Sequence, residues 1–135
     1  MGTRGCERLP LMHKFLSIRL KIMAAEISEK AESFNLIIRN GITLAEFDIL
    51  WCAPCRLQRA IMEQLAERYK GRVSVTGFNV DDCRQLAMRL NITSVPTLIL
   101  FKNGKEMRRF IGLQSDKTLS SALADELVKN SGNAD

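Results

Sequence analysis

The chain has 135 residues, 46% of them hydrophobic and 26% charged, the size and balance of one globular domain, which argues against a disordered or fibrous chain. No apolar run approaches the ~20 residues of a membrane-spanning helix, and four cysteines are too few for a disulfide-stapled scaffold. The net charge of +5 would suit a nucleic-acid partner if it lay on the folded body, but residues 1–25 set Arg4, Arg8, Lys14, Arg19 and Lys21 against Glu7 alone and leave the rest at +1.

Residues 1–22 read as a basic, poorly ordered extension ahead of a domain spanning 23–132. The segment has only Thr3 and Ser17 as hydroxyl residues and lacks a clean apolar face, so it makes a weak transit peptide. A cytoplasmic protein is expected, with an organelle matrix as the alternative if the extension is a targeting peptide.

Along the body, 30–40 carries Phe34, Ile37 and Ile38 at helical spacing and stops at Gly41. Residues 42–50 (ITLAEFDIL) read as a buried strand. Leu57, Ile61 and Leu65, four apart, predict the core face of a helix over 56–70. Residues 73–80 alternate as a second strand, and Asp81 or Asp82 is placed to cap a helix running to Leu90. Residues 97–102 and 105–111 flank Asn103-Gly104, the pair that a type I′ hairpin turn prefers. Leu119, Leu123 and Leu127 mark a last helix over 116–129. The order αβαβαββα, with or without a short strand in front, predicts one α/β layer structure with parallel strands first and an antiparallel hairpin last.

Trp51-Cys52-Ala53-Pro54-Cys55 falls where a predicted strand runs into a predicted helix. Two cysteines on the first helical turn can close a small disulfide ring, and the positive end of the helix dipole favours a thiolate, most strongly at Cys52. Pro54 suits the first turn, where its missing N–H has no partner to lose. Cys52 is thus expected to attack and Cys55, the more buried sulfur, to resolve. A zinc site would need two more ligands, and His13, Cys6 and Cys83 stand isolated. A purely structural disulfide would constrain little across so short a loop.

With these residues in place, the sequence resembles the thioredoxin family over roughly 23–130. WCAPC at 51–55 matches the WCxPC motif, Val95-Pro96-Thr97 the cis-proline loop, and Asn79-Val80-Asp81 the end of the middle strand. Phe101-Lys102-Asn103-Gly104 and Gly112 match the last hairpin and the residue after it. The resemblance implies a thioredoxin fold, a central mixed sheet of four or five strands flanked by helices. It further implies a cis Pro96 against the cysteine pair and a platform of Trp51, Ala53, Pro54, Val95, Pro96 and Gly112 for an extended substrate segment.

The family usually buries an aspartate six residues before the first cysteine, and Glu46 stands there, a candidate for taking the proton of Cys55; a solvated carboxylate is the other reading. Gly77 stands where many members carry a lysine that pairs with that acid, so its charge is expected to be less compensated. Asp48 replaces an aromatic and is expected to leave a more polar surface near the site. Arg56, Arg59, Arg108 and Arg109 read as solvated faces, Cys83 as a small buried residue at a helix start, and Trp51 as a surface shield beside Cys52.

The function expected is protein-disulfide reduction by a monomer with no bound cofactor. Its partners are disulfide-containing proteins and, by resemblance, an NADPH-linked flavoprotein thioredoxin reductase or equivalent donor; neither nucleic acid nor membrane span enters. A dedicated disulfide oxidoreductase for one partner and a non-catalytic interaction protein remain as alternatives.

Overall fold

The computed structural model describes residues 32–132, with side chains to 129. The predicted extension 1–22, the domain start at 23 and any strand before the first helix lie outside them. The described elements are helical residues 32–38 (α1), Ile42–Asp48 (β1), Ala53–Arg68 (α2) and Val73–Asn79 (β2), then Arg84–Arg89 (α3), Thr97–Lys102 (β3), Lys105–Ile111 (β4) and Asp116–Gly132 (α4). Among these residues the sheet has four strands in the order β2-β1-β3-β4. β1 runs parallel to β2 and antiparallel to β3, and β3 and β4 form the antiparallel hairpin. This is the mixed α/β sheet that the element order predicts. No helix among the described residues is long and apolar enough to cross a membrane.

The alternation of a strand explains the two layers. Ile42 and Leu44 face Met62 and Leu65 of α2 and Leu119 and Leu123 of α4, while Ala45 and Phe47 face Phe34 and Ile38 of α1 and Leu86 of α3. Because both faces are covered, β1 is buried along all seven residues, polar ones included. Phe34, Phe47, Phe78 and Phe101 tie the second face together through ring contacts of 5.3–6.3 Å, and each large side chain so buried contributes roughly 1.5–3 kcal/mol.

Asn103 and Gly104 both have positive φ, 51° and 86°, as a type I′ turn requires. Asn103 also exchanges two hydrogen bonds with Gly41: its Oδ1 accepts from the Gly41 N–H at 2.8 Å and its own N–H donates to the Gly41 carbonyl at 2.8 Å.

Two expectations need correction. The buried stripe of α2 is Cys55, Gln58, Met62 and Leu65, and Leu57 is 60% exposed. Leu65 lies in the core and Ile61 packs against it as expected, but at the start of the helix the buried place next to Leu57 is taken by a polar residue, Gln58. The helix after β2 is also capped differently: Asn79 caps a 3₁₀ turn over Val80–Asp82 by accepting from the Asp81 N–H, and α3 begins after Cys83.

Candidate active site

β1 ends at Asp48, and the chain turns through Ile49, Leu50 and Trp51 into α2. Cys52 is the N-cap of that helix, in extended conformation, and its Sγ accepts the Cys55 N–H at 3.2 Å. A sulfur thus takes the place that a serine or aspartate oxygen commonly fills, and one of the orphan amides of the first turn is satisfied by it. Cys52 and Cys55 are joined as a disulfide with Cα atoms 5.2 Å apart. The two sulfurs differ in access, since Cys55 is fully buried while Cys52 is half-buried. Pro54 occupies the first turn, and Trp51 is 91% exposed.

The cis-proline loop reaches this edge because of strand direction. β3 is antiparallel to β1 and begins at Thr97, the register partner of Phe47, so the residues before Thr97 emerge beside the end of β1. The Val95–Pro96 bond is cis, Pro96 is buried and Val95 is half-buried. Gly112, at φ 89°, donates its N–H to the Pro96 carbonyl at 2.8 Å, which joins the loop after β4 to the proline loop. Gln58 on α2 extends the link through two hydrogen bonds to the backbone of Gln114, whose side-chain Nε2 donates to the carbonyls of Ile111 and Gly112. Leu50, Leu57, Ile111 and Leu113 leave apolar surface exposed on these segments.

Glu46 lies in the middle of the sheet, between Gly77 on β2 and Leu98 on β3, and is 1% exposed. Among the described residues its Oε2 has no hydrogen-bond partner. Burial, first, and the neighbouring Asp48 carboxylate, second, push its pKa up to about 8; Arg59 opposes the shift and a side-chain hydrogen bond with Asp48 adds to it. A cavity of about 110 Å³ lies between Glu46, Val75 and Gly77 of the sheet and Arg59, Met62 and Glu63 of α2.

Asp48, expected as a polar surface near the site, is instead buried and paired with Arg59, whose Nε lies 2.8 Å from Oδ2. Arg59, expected on a solvated face, turns inward and also donates from Nη2 to the Ile49 carbonyl at 3.3 Å. Arg109 likewise is more than a solvated residue, because it forks onto Glu106 and donates to the Leu90 carbonyl. Cys83 is buried among the residues of the α1–α3 face.

The structure therefore places Trp51, Cys52, Ala53, Pro54, Val95, Pro96 and Gly112 at one edge of the sheet and Glu46 beneath it, among the strands. Sequence reading missed the Asp48–Arg59 pair and the buried Gln58. A signal existed for the first. Glu46 and Asp48, two apart on one strand, share a face, and Arg59 lies one helical turn after Cys55.

Comparison with known proteins agrees with this geometry. The family model described as Thioredoxin matches residues 25–125. A thioredoxin of Alicyclobacillus acidocaldarius subsp. acidocaldarius is 39% identical over 84 residues, covering 62% of this chain and 80% of that protein. A thioredoxin of Staphylococcus aureus is 31% identical over 108 residues, covering 80% of this chain and 97% of its own. Among solved structures, a mutant thioredoxin from Halobacterium salinarum NRC-1 superposes with a TM-score of 0.65 at 29% identity, over 70% of this chain and 82% of that one.

Proposed function

The chain belongs to the thioredoxin family and is a thiol-disulfide oxidoreductase, and from that premise we propose how its residues divide the work. The observation that carries the proposal is the asymmetry of the pair: Cys52 is a half-buried helix cap whose sulfur receives an N–H, and Cys55 is fully buried behind it.

In the reduced protein the Cys52 thiolate attacks a substrate disulfide. A bond forms between Cys52 Sγ and one substrate sulfur, and the other leaves as a thiolate that takes a proton from solvent. Cys55 then gives its proton to the ionised Glu46 carboxylate and attacks Cys52 Sγ. The mixed disulfide breaks, the Cys52–Cys55 bond forms, and the second substrate sulfur leaves, so two electrons pass from the dithiol to the substrate. Trp51, Ala53, Pro54, Val95, Pro96 and Gly112 form the rim on which an extended segment of the target lies, with the Val95 backbone offered to it as a strand would be.

The substrates are disulfide-bearing proteins, and a reductase recharges the dithiol; family membership supports both. An NADPH-linked flavoprotein is the donor we favour. Insulin reduction by wild type, with Cys55→Ser used to trap targets, tests the assignment. Cys55→Ser should hold mixed disulfides through Cys52, releasable by dithiothreitol. Trapping through Cys55 in Cys52→Ser, with none through Cys52, would overturn the order of attack.

A further inference from the structure

Side chains two residues apart on a strand point to one face, and at the end of β1 those two residues are both acids, Glu46 and Asp48, both buried. Two carboxylates cannot share a buried site as free charges, so one must be paired or one must keep a proton. The structure divides these outcomes between them. Asp48 is held by Arg59 at 2.8 Å, whereas Glu46, buried two residues before it on the same strand, has an Oε2 with no partner among the described residues.

Arg59 is itself fixed at two points, the carboxylate of Asp48 at the end of β1 and the carbonyl of Ile49 just after it, and it springs from α2 one turn after Cys55. The other neighbours of Glu46 bring little charge. α2 adds Glu63 across the cavity, β2 presents Val75, Thr76 and Gly77, and β3 presents Leu98. The register partner of Glu46 on β2 is Gly77, which has no side chain to set beside its carboxyl, and among the described residues lining the cavity Arg59 on α2 is the cation.

We propose that Asp48, clamped in its ionised form by Arg59, is a positioning residue for proton transfer at Glu46: its fixed negative charge on the same buried face keeps Glu46 a base strong enough to take the Cys55 proton. This rests on the reading of Glu46 as that base. In the step concerned, the Cys55 proton moves to the Glu46 carboxylate and the Cys55 sulfur forms its bond to Cys52 while the substrate sulfur leaves; Asp48 keeps its charge throughout. An acid and a base of similar proton affinity exchange a proton with little free-energy change. Burial raises the proton affinity of a thiol as it does that of a carboxylate, so Glu46, pushed up to about 8, is a better match for the buried Cys55 than an ordinary carboxylate would be.

The test is a ¹³C NMR titration of the Glu46 side-chain carboxyl in the oxidised protein, where neither active-site sulfur titrates. Asp48→Asn should lower the midpoint by about one pH unit or more, because Arg59 then acts alone. The double variant Asp48→Asn/Arg59→Gln, which leaves no unpaired buried charge, should fall between Asp48→Asn and wild type. If Asp48→Asn fails to fold, the double variant against wild type still decides the matter. A midpoint equal to or above wild type in either variant overturns the proposal.

Single-turnover resolution, followed by Trp51 fluorescence, separates the two layers of inference. If Glu46→Gln leaves its pH profile unchanged, Glu46 is not the base, and the underlying reading falls with this one. If Glu46→Gln removes the profile but Asp48→Asn does not move its midpoint, the role of Asp48 alone is overturned. A midpoint that moves with the NMR titration sustains both.

Discussion

Gln58 and Gln114 bind each other in both directions: Nε2 of Gln58 donates to the Gln114 carbonyl at 3.1 Å, and its Oε1 accepts the Gln114 N–H at 2.7 Å. A fully buried side-chain amide thus completes the backbone of the loop that follows Gly112. Gln58→Ala strands both backbone groups and opens a void, and should destabilise the protein by about 2–3 kcal/mol in urea unfolding. It should also raise KM for a protein disulfide more than it lowers kcat. A loss under about 0.5 kcal/mol would show that the loop is held by other means.

The pH dependence of stability follows from Glu46. Its folded pKa of about 8 lies above the 4.5 of a solvated glutamate, so the native state holds its proton more tightly than the unfolded chain. The stabilisation is complete below about 4.5 and is lost as pH rises from there to about 8. Glu46→Gln removes the titration and should flatten the stability profile across that window, by on the order of 2 kcal/mol or more. The measurement is the urea midpoint at successive pH values, and a slope equal to that of wild type would contradict it.

Trp51 separates stability from recognition. An indole left 91% exposed buries almost nothing, so Trp51→Ala should change unfolding free energy by less than about 0.5 kcal/mol. The same substitution should raise KM severalfold for a folded protein disulfide and much less for a small-molecule disulfide. Equal effects on both substrates would assign the ring a part in the chemistry in place of docking.

Arg109 ties β4 to the end of α3, because Nη1 donates to the carbonyl of Leu90, the C-cap of that helix, at 2.8 Å. Arg109→Ala should destabilise by about 1 kcal/mol, and hydrogen exchange should accelerate in 84–92 and leave β1 unchanged. Uniform acceleration would mean that α3 does not open separately.

Much of the fold was legible because its signals are local. A run of apolar and β-forming residues marked β1, alternation marked β2, Asn103-Gly104 marked the hairpin of β3 and β4, and a cysteine pair at a strand–helix junction marked the site. The first turns of α2 were misread at Leu57, which is apolar but exposed, because the inward place beside it belongs to Gln58; a polar residue satisfied by a distant backbone leaves no periodic trace. The Asp48–Arg59 pair escaped for a related reason. Strand alternation places both acids on one face, but only the covering helix shows that this face is closed to water. The cis bond at Pro96 came from resemblance, since X-Pro bonds are mostly trans even in folded proteins.

Strand direction sorts the chain ends of this sheet into two kinds. The segments at 49–52, 92–96 and 112–115 all open at the edge that carries the dithiol, while those at 39–41, 69–72 and 103–104 open at the other edge, where Gly41 and Asn103 are cross-bonded. Evolutionary or engineered changes in chain length therefore do not weigh equally. One residue inserted before Thr97 would move Pro96 relative to Cys52, whereas one inserted at 70–71 would lengthen a turn a whole strand away from the sulfur. Loop length is a chemical variable at one edge of this protein and an architectural one at the other.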